Sequence, residues 1–197
     1  MFKVAWRILL VEIFPYQTRW PAEFQVIAAG LRRALGDLAL RIDHIGSTSV
    51  SGLPAKDVID IQITVAALDQ AILAALEGAG YVRSVRNAGD HRPAHATGPE
   101  TDWQKWFFYP PPGQRRTHTH VRVQGRANQR YPLLFRDYLR AHPRTAAAYG
   151  ELKRRLAAGL ADPDTYPDVK DPAVDLIYFA AEDWALAQSW SPGPSDA

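Results

Sequence analysis

The spacing of apolar residues changes period along the chain, and each change predicts an element. From Pro21 to Gly36, Phe24, Ile27, Leu31 and Leu35 recur three and four residues apart, predicting a helix with one buried face and Pro21 in its first turn. The period then falls to two. "LRIDHI" (40–45) predicts a short strand and "DVIDIQITV" (57–65) a longer one, rich in β-branched residues. In "LDQAILAALEGAGY", Asp69 caps a helix that buries Ile72, Leu73 and Leu76 and stops near Gly78 or Gly80. "YVRSVR" predicts another strand. Asn87 to Asp102 reads as loop, and "WQKWFFY" and "THTHVRVQ" as two strands joined by the proline-rich "PPPGQRR".

After Tyr131 the helical period returns. "PLLFRDYLRAH" stops before Pro143, and "RTAAAYGELKRRLAAGLA" before Pro163. In the last helix Asp171 is the expected cap, Pro172 takes the first turn, and Val174, Ile177, Tyr178 and Ala181 form the stripe. A helix, a group of strands with one crossover helix, then three helices predict an α+β fold: a mixed sheet with helices packed on it and a C-terminal block of helices.

Composition narrows the picture without redirecting it. A chain of 197 residues with 47% apolar and 22% charged positions can bury one core. We expect a single domain over 1–190 and a disordered tail, "SPGPSDA", over 191–197. With no cysteine, disulfides, thiolate metal sites and a cysteine nucleophile are excluded. The apolar start "MFKVAWRILLVEIFPYQ" is interrupted by Arg7 and Glu12, lacks a cleavage site and is too short to span a bilayer. A cytoplasmic location with no membrane partner is the expectation. The net charge of +2 conceals an uneven distribution: Gln114 to Arg155 carries eleven Lys and Arg against Asp137 and Glu151. Such a run is either a solvated helical surface or a field that attracts phosphates or nucleic acid.

One stretch does not read as packing: "HIGSTSVSGLPAKDVIDIQITV", His44 to Val65. Gly46 at a strand end permits close backbone approach, and Ser47, Thr48 and Ser49 add hydroxyls. If a helical turn begins there, its free N–H groups suit an anion. Lys56 brings a cation, and Asp60 and Gln62, two apart on a strand, share a face. A carboxylate in an otherwise apolar strand costs several kcal/mol unless paired, which marks Asp60 as functional. His118 and His120 share a face of a later strand, where imidazole would suit a transition metal better than magnesium. Arg122 is a further phosphate contact, His44 a brace or a ligand contact, and Asp137 a partner for Arg136 or Arg140.

The Gly-Ser turn followed twelve residues later by "DIQI" resembles the signature of the nucleotidyltransferase fold, in which an Asp-x-Asp strand binds two metals. The longer motif, with "FPYQTRWPAEF", "RTHTHVRV", "LLFRDYLRAHP" and "YGELKRRLA", resembles the GrpB-like family within that superfamily. In some bacteria such a domain is fused to dephospho-coenzyme A kinase. The resemblance implies a fold and a site location. Read with the residues themselves, it leads us to expect a nucleoside triphosphate held by Gly46, Ser47, Thr48, Ser49, Lys56, Gln62 and Arg122, and Mg²⁺ or another divalent metal on Asp60, with His118 and His120 as further ligands and Asp60 and His120 as the catalytic pair. Gln62 departs from the pattern, since it stands where the second acid belongs and brings no charge. Three readings follow: nucleotidyl transfer to an unknown acceptor, a nucleotide- or phosphate-binding module without catalysis, and an RNA-associated protein. No RNA-binding motif accompanies the last.

Overall fold

The computed structural model describes residues 11–94 and 96–197. The N-terminal stretch tested for a leader lies, through residue 10, outside the described residues. Five strands form one sheet in the order β1-β2-β5-β4-β3: β1 Arg41–Ile45, β2 Ile59–Val65, β3 Val82–Ser84, β4 Trp106–Tyr109 and β5 Thr117–Val123. β2 and β5 run parallel and every other pairing is antiparallel. The fold is α+β with a mixed sheet, as the changes of period predict.

Helices cover both faces. α1 (Trp20–Leu35) and α2 (Gln70–Gly78) lie on one side, where Trp20, Phe24 and Leu31 meet Ile42, Ile61 and Ile63. α3 (Ala127–Ala141), α4 (Pro143–Gly159) and α5 (Tyr166–Ala187) form the opposite block, around Leu53, Leu134, Leu139, Tyr149, Val174 and Tyr178. The pleat sorts the residues: Ile59, Ile61 and Ile63 face α1, whereas Asp60 and Gln62 face the C-terminal helices. Asp69 caps α2 by accepting from the N–H groups of Ala71 and Ile72.

Three expectations change. α3 begins five residues before Pro132, which sits inside it, with Gly125 in the left-handed region (φ 81°) making the preceding turn. α5 begins at Tyr166, so Asp171 is not its cap and Pro172 lies in its second turn. The tail is docked along β1 rather than disordered. Ser195 accepts from Ile42 N, Asp196 from His44 N and Arg136 Nη1, and Ala197 N donates to Ile42 O. β1 is an edge strand with unpaired backbone groups, and three tail residues satisfy them. Among the described residues, no helix is long and apolar enough to cross a membrane.

Candidate functional site

A cavity of about 340 Å³ lies between the polar face of β2 and β5 and the helices α3 to α5. Its mouth is the turn after β1. Gly46 adopts φ 68°, and a Cβ placed there would lie 2.2 Å from Asp60 Oδ2. The position is therefore restricted to glycine twice, by conformation and by the approach of the carboxylate. The next residues make one 3₁₀ turn, Ser47–Ser49, whose Ser49 and Val50 N–H groups are bonded to Gly46 and Ser47 carbonyls. The expected helical turn is thus present as a single 3₁₀ turn.

The three hydroxyls separate. Ser47 Oγ accepts from Lys153 Nζ at 2.7 Å inside the cavity. Thr48 Oγ1 bonds His44 Nε2 at 2.9 Å, and His44 stacks on Phe24 with burial lowering its pKa to about 4. His44 is thus a neutral brace for the turn. Ser49 Oγ donates to Gly46 O at 2.6 Å and closes the turn, away from the cavity.

Asp60 pairs with His118, Oδ1 to Nδ1 at 3.1 Å, and both line the cavity. His120 does not join them. Its Nδ1 accepts from Arg122 Nη2 at 3.2 Å, and burial with the adjacent Arg122 and Lys105 holds it well below the usual imidazole range. Among the described residues no group of three or more His, Asp or Glu is arranged to hold a metal ion, so the expected set of Asp60, His118 and His120 is not assembled. Gln62 is corrected too. It is fully buried, its Nε2 donating to Gln129 O and its Oε1 accepting from Arg122, and it does not reach the cavity.

Arg122 lines the cavity with all three of its guanidinium nitrogens engaged. Its Nε and Nη2 donate to Asp90 at 2.8 Å each, Nη1 donates to Gln62, and Nη2 also meets His120. Asp90 also takes Lys105 Nζ and Asn128 Nδ2, which tie the loop after β3 to the sheet. These cations hold the Asp90 carboxyl far below its ordinary range despite its burial. This group is a closed ionic knot.

Lysines from three segments supply the cations that face the cavity. Lys56 precedes β2 and lies 4.2 Å over the Tyr166 ring, Lys153 comes from α4, and Lys170 from α5. Burial lowers the pKa of all three, and the charge on Lys170 lowers Lys56 and Lys153 further. Lys153 falls to about 7; besides Ser47 it donates to Pro54 O, and it sits 4.7 Å over the Tyr149 ring. Only Lys56 was singled out from the sequence, yet the helix pattern carried the other two. Lys153 falls on the buried stripe Ala146, Tyr149, Gly150 and Lys153, and Lys170 on the stripe Tyr166, Lys170 and Val174.

This donor set does not fit magnesium. Mg²⁺ takes oxygen ligands in octahedral array, and two-metal sites need several carboxylates. Here the two carboxylates that line the cavity are already engaged, Asp60 with His118 and Asp90 with Arg122 and Lys105, and three lysines share the space.

A family model described as "GrpB protein" matches residues 10–179. A "Dephospho-CoA kinase" of Mycolicibacterium paratuberculosis is 39% identical over 92% of this chain and 48% of its own length. A "UPF0157 protein" of Deinococcus radiodurans is 37% identical over 84% of this chain and 79% of its own. The crystal structure of the conserved protein GrpB from Enterococcus faecalis superposes with a TM-score of 0.67 at 28% identity, covering 91% of this chain and all of that one. The chain spans about half the length of the dephospho-CoA kinases it matches.

Proposed function

The chain belongs to the GrpB family, and from the chemistry of its cavity we propose that it binds a small molecule bearing several phosphate charges, a nucleotide or a compound of like charge, without a divalent metal. The observation that carries this reading is the convergence of Lys56, Lys153 and Lys170 on the cavity beside Gly46 and Ser47. Lys153 is buried, and the charge on Lys170 adds to the lowering of the Lys153 and Lys56 pKa values, so an anion placed among the three is favoured. Of the carboxylates near them, Asp60 is shared with His118, Asp90 is taken by Arg122 and Lys105, and Asp171 lies 3.7 Å from Lys170. The phosphates would meet Lys153, Lys56 and Lys170, with Ser47 as a hydroxyl partner and Gly46 giving room for approach.

A second reading rests on the Asp60–His118 pair. A carboxylate that orients an imidazole at a cavity wall is the arrangement of a general base. Nucleotidyl transfer in this domain would then depend on His118 rather than His120, with lysines in place of metal ions. The name dephospho-CoA kinase belongs to polypeptides of which this chain matches about half, and it is compatible with either reading.

Calorimetric titration with inorganic tripolyphosphate tests the proposal, first in EDTA and then with Mg²⁺. Binding in EDTA that Mg²⁺ leaves unchanged or weakens is the expected result. No binding in EDTA, restored by Mg²⁺, would overturn it in favour of a metal-dependent site.

A further inference from the structure

The lysine end occupies only part of the cavity. Along β5 from His118 to Arg122, about 13 Å of strand at the usual rise per residue, the lining changes from lysines to a corner made by Trp103 and the first turns of α3. Two buried polar atoms in that corner have no hydrogen-bond partner among the described residues: Asn128 Oδ1 and the Tyr131 hydroxyl. Asn128 is 1% exposed. Its orientation is fixed because Nδ2 donates to Asp90 Oδ2 at 3.0 Å and to Gln104 O at 2.9 Å, which leaves Oδ1 as the free acceptor. Tyr131 lies three residues further along the same helical face. Its burial drives the phenol pKa far up, so the hydroxyl keeps its proton and can donate or accept.

The walls around these atoms are aromatic. Trp103 stands edge-on to Tyr131 at 6.1 Å, and Phe135 lies parallel to it at 6.4 Å. Trp103 Nε1 is unpartnered too, but Trp103 also walls a neighbouring cavity of about 360 Å³, so Asn128 and Tyr131 carry the argument. A buried polar atom left without a partner costs roughly 1–3 kcal/mol, and each such atom in a folded protein asks for a source of the missing bond. Flat apolar walls with a few fixed polar atoms are the common form of a ligand pocket.

We propose that this corner takes the hydrogen-bonding edge of a flat nitrogen heterocycle carried by the phosphorylated ligand, a nucleobase being the type. A ring N–H or amino group donates to Asn128 Oδ1, and the Tyr131 hydroxyl bonds the neighbouring ring carbonyl or nitrogen. The inference rests on the phosphate reading for the other end of the ligand, and its test separates the two. Wild type and Tyr131→Phe are titrated calorimetrically with inorganic tripolyphosphate, with ATP, GTP, CTP and UTP, and with the four nucleosides. Tyr131→Phe removes a hydroxyl that nothing in the described protein holds, so the variant folds.

The expected result is that at least one nucleoside triphosphate binds about tenfold tighter than tripolyphosphate. Tyr131→Phe then removes most of that margin and leaves tripolyphosphate binding unchanged. Equal binding of tripolyphosphate and all four triphosphates overturns the heterocycle corner and leaves the phosphate reading standing. A margin that survives Tyr131→Phe also overturns it, and assigns the two atoms to buried water. Nucleoside binding lost in Tyr131→Phe, with tripolyphosphate silent, overturns the phosphate reading and keeps the corner. Silence with every compound overturns both.

Discussion

The same face of the sheet carries two cationic centres that differ in how far they are neutralised. Around Arg122 all three guanidinium nitrogens are engaged: Nε and Nη2 with Asp90, Nη1 with Gln62, and Nη2 with His120 as well. Around Lys153 three lysines line a cavity in which Asp60 is bonded to His118 and Asp90 belongs to the Arg122 group, and Asp171, 3.7 Å from Lys170, is the one further ion-pair partner among the described residues. Lys153 is buried like Arg122, whereas Lys56 is exposed and Lys170 half-buried, and both centres involve residues on β2 and β5. A completed set of partners marks an ionic group that holds the fold together, and an incomplete one marks a place where charge is to be delivered. Arg122 looked like a ligand contact in the sequence because its type and strand position suit one. Its partners assign it to the fold.

The contrast predicts opposite signs for removing the two cations, and the larger effect falls on the closed knot. Arg122→Ala leaves Asp90 buried with Lys105 and Asn128 but without its two guanidinium bonds, and it strips the partner from Gln62. A destabilisation of about 3–5 kcal/mol is expected, measured as a lowered urea midpoint. A loss below 1 kcal/mol would mean that the knot relaxes around water and that the distinction between the two centres is false.

Next in size is Gly46→Ala. The added methyl meets the Asp60 carboxylate, and the backbone is in the left-handed region. Strain and overpacking together should cost about 2–4 kcal/mol and weaken tripolyphosphate binding at least tenfold. Gly52→Ala is the control, since Gly52 has φ 77° but nothing within 4 Å of the added Cβ. It should cost about 1 kcal/mol and leave binding intact. Equal losses at the two positions would show that conformation alone, and not the approach of Asp60, selects glycine at the mouth.

Lys153→Met reverses the sign. In the folded protein this amine has a pKa of about 7 against an ordinary 10.5. Between those values the unfolded chain holds a proton that the folded chain lacks, so stability falls as pH drops through that window and levels off below it. Near pH 7 the lysine is therefore a burden, offset in part by its bonds to Ser47 and Pro54. Lys153→Met should raise stability by about 1–3 kcal/mol at pH 7 while removing tripolyphosphate binding. A variant that loses stability would place Lys153 with Arg122 among the structural cations.

How legible this was in the sequence depended on whether a residue's partners are local. Gly46 and Asp60 stood out because an apolar strand has no packing use for a carboxylate, and a glycine between a strand and a hydroxyl-rich turn has a conformational reason. Alternation also placed Gln62 and His120 on the correct face. It did not disclose that Arg122, from β5, bonds Gln62 on β2, or that His118 rather than His120 stands opposite Asp60. Such contacts follow from the parallel register of β2 and β5, which periodicity does not encode. Lys170 was hidden by a local signal read too strongly. Asp171-Pro172 resembles a helix start, yet the tertiary block extends α5 back to Tyr166 and puts Lys170 on its buried stripe. The tail was misjudged from composition, because polar, glycine- and proline-rich residues still order when an edge strand offers backbone groups.

The smallest expected effect is the most specific to Lys153, because it follows a proton. An anion beside this amine raises its pKa, so binding near pH 7 to 8 takes up a fraction of a proton, and affinity falls as pH rises. For one group that moves from about 7 to well above 8, the loss between pH 7 and pH 8 is about fivefold. Phosphates titrate in the same range and gain charge as pH rises, which opposes the trend, so sulfate is the better probe. Titrating it in buffers of different ionisation enthalpy gives the proton count directly. In the Arg122 knot, Asp90 lies far below this range and takes no part. Proton uptake that persists in Lys153→Met would move the titrating group to another lysine of lowered pKa, Lys56, Lys170 or Lys105. A pH-independent affinity in the wild type would mean that the cluster stays fully charged in the free protein, and that the contrast between the two centres lies in geometry rather than in missing neutralisation.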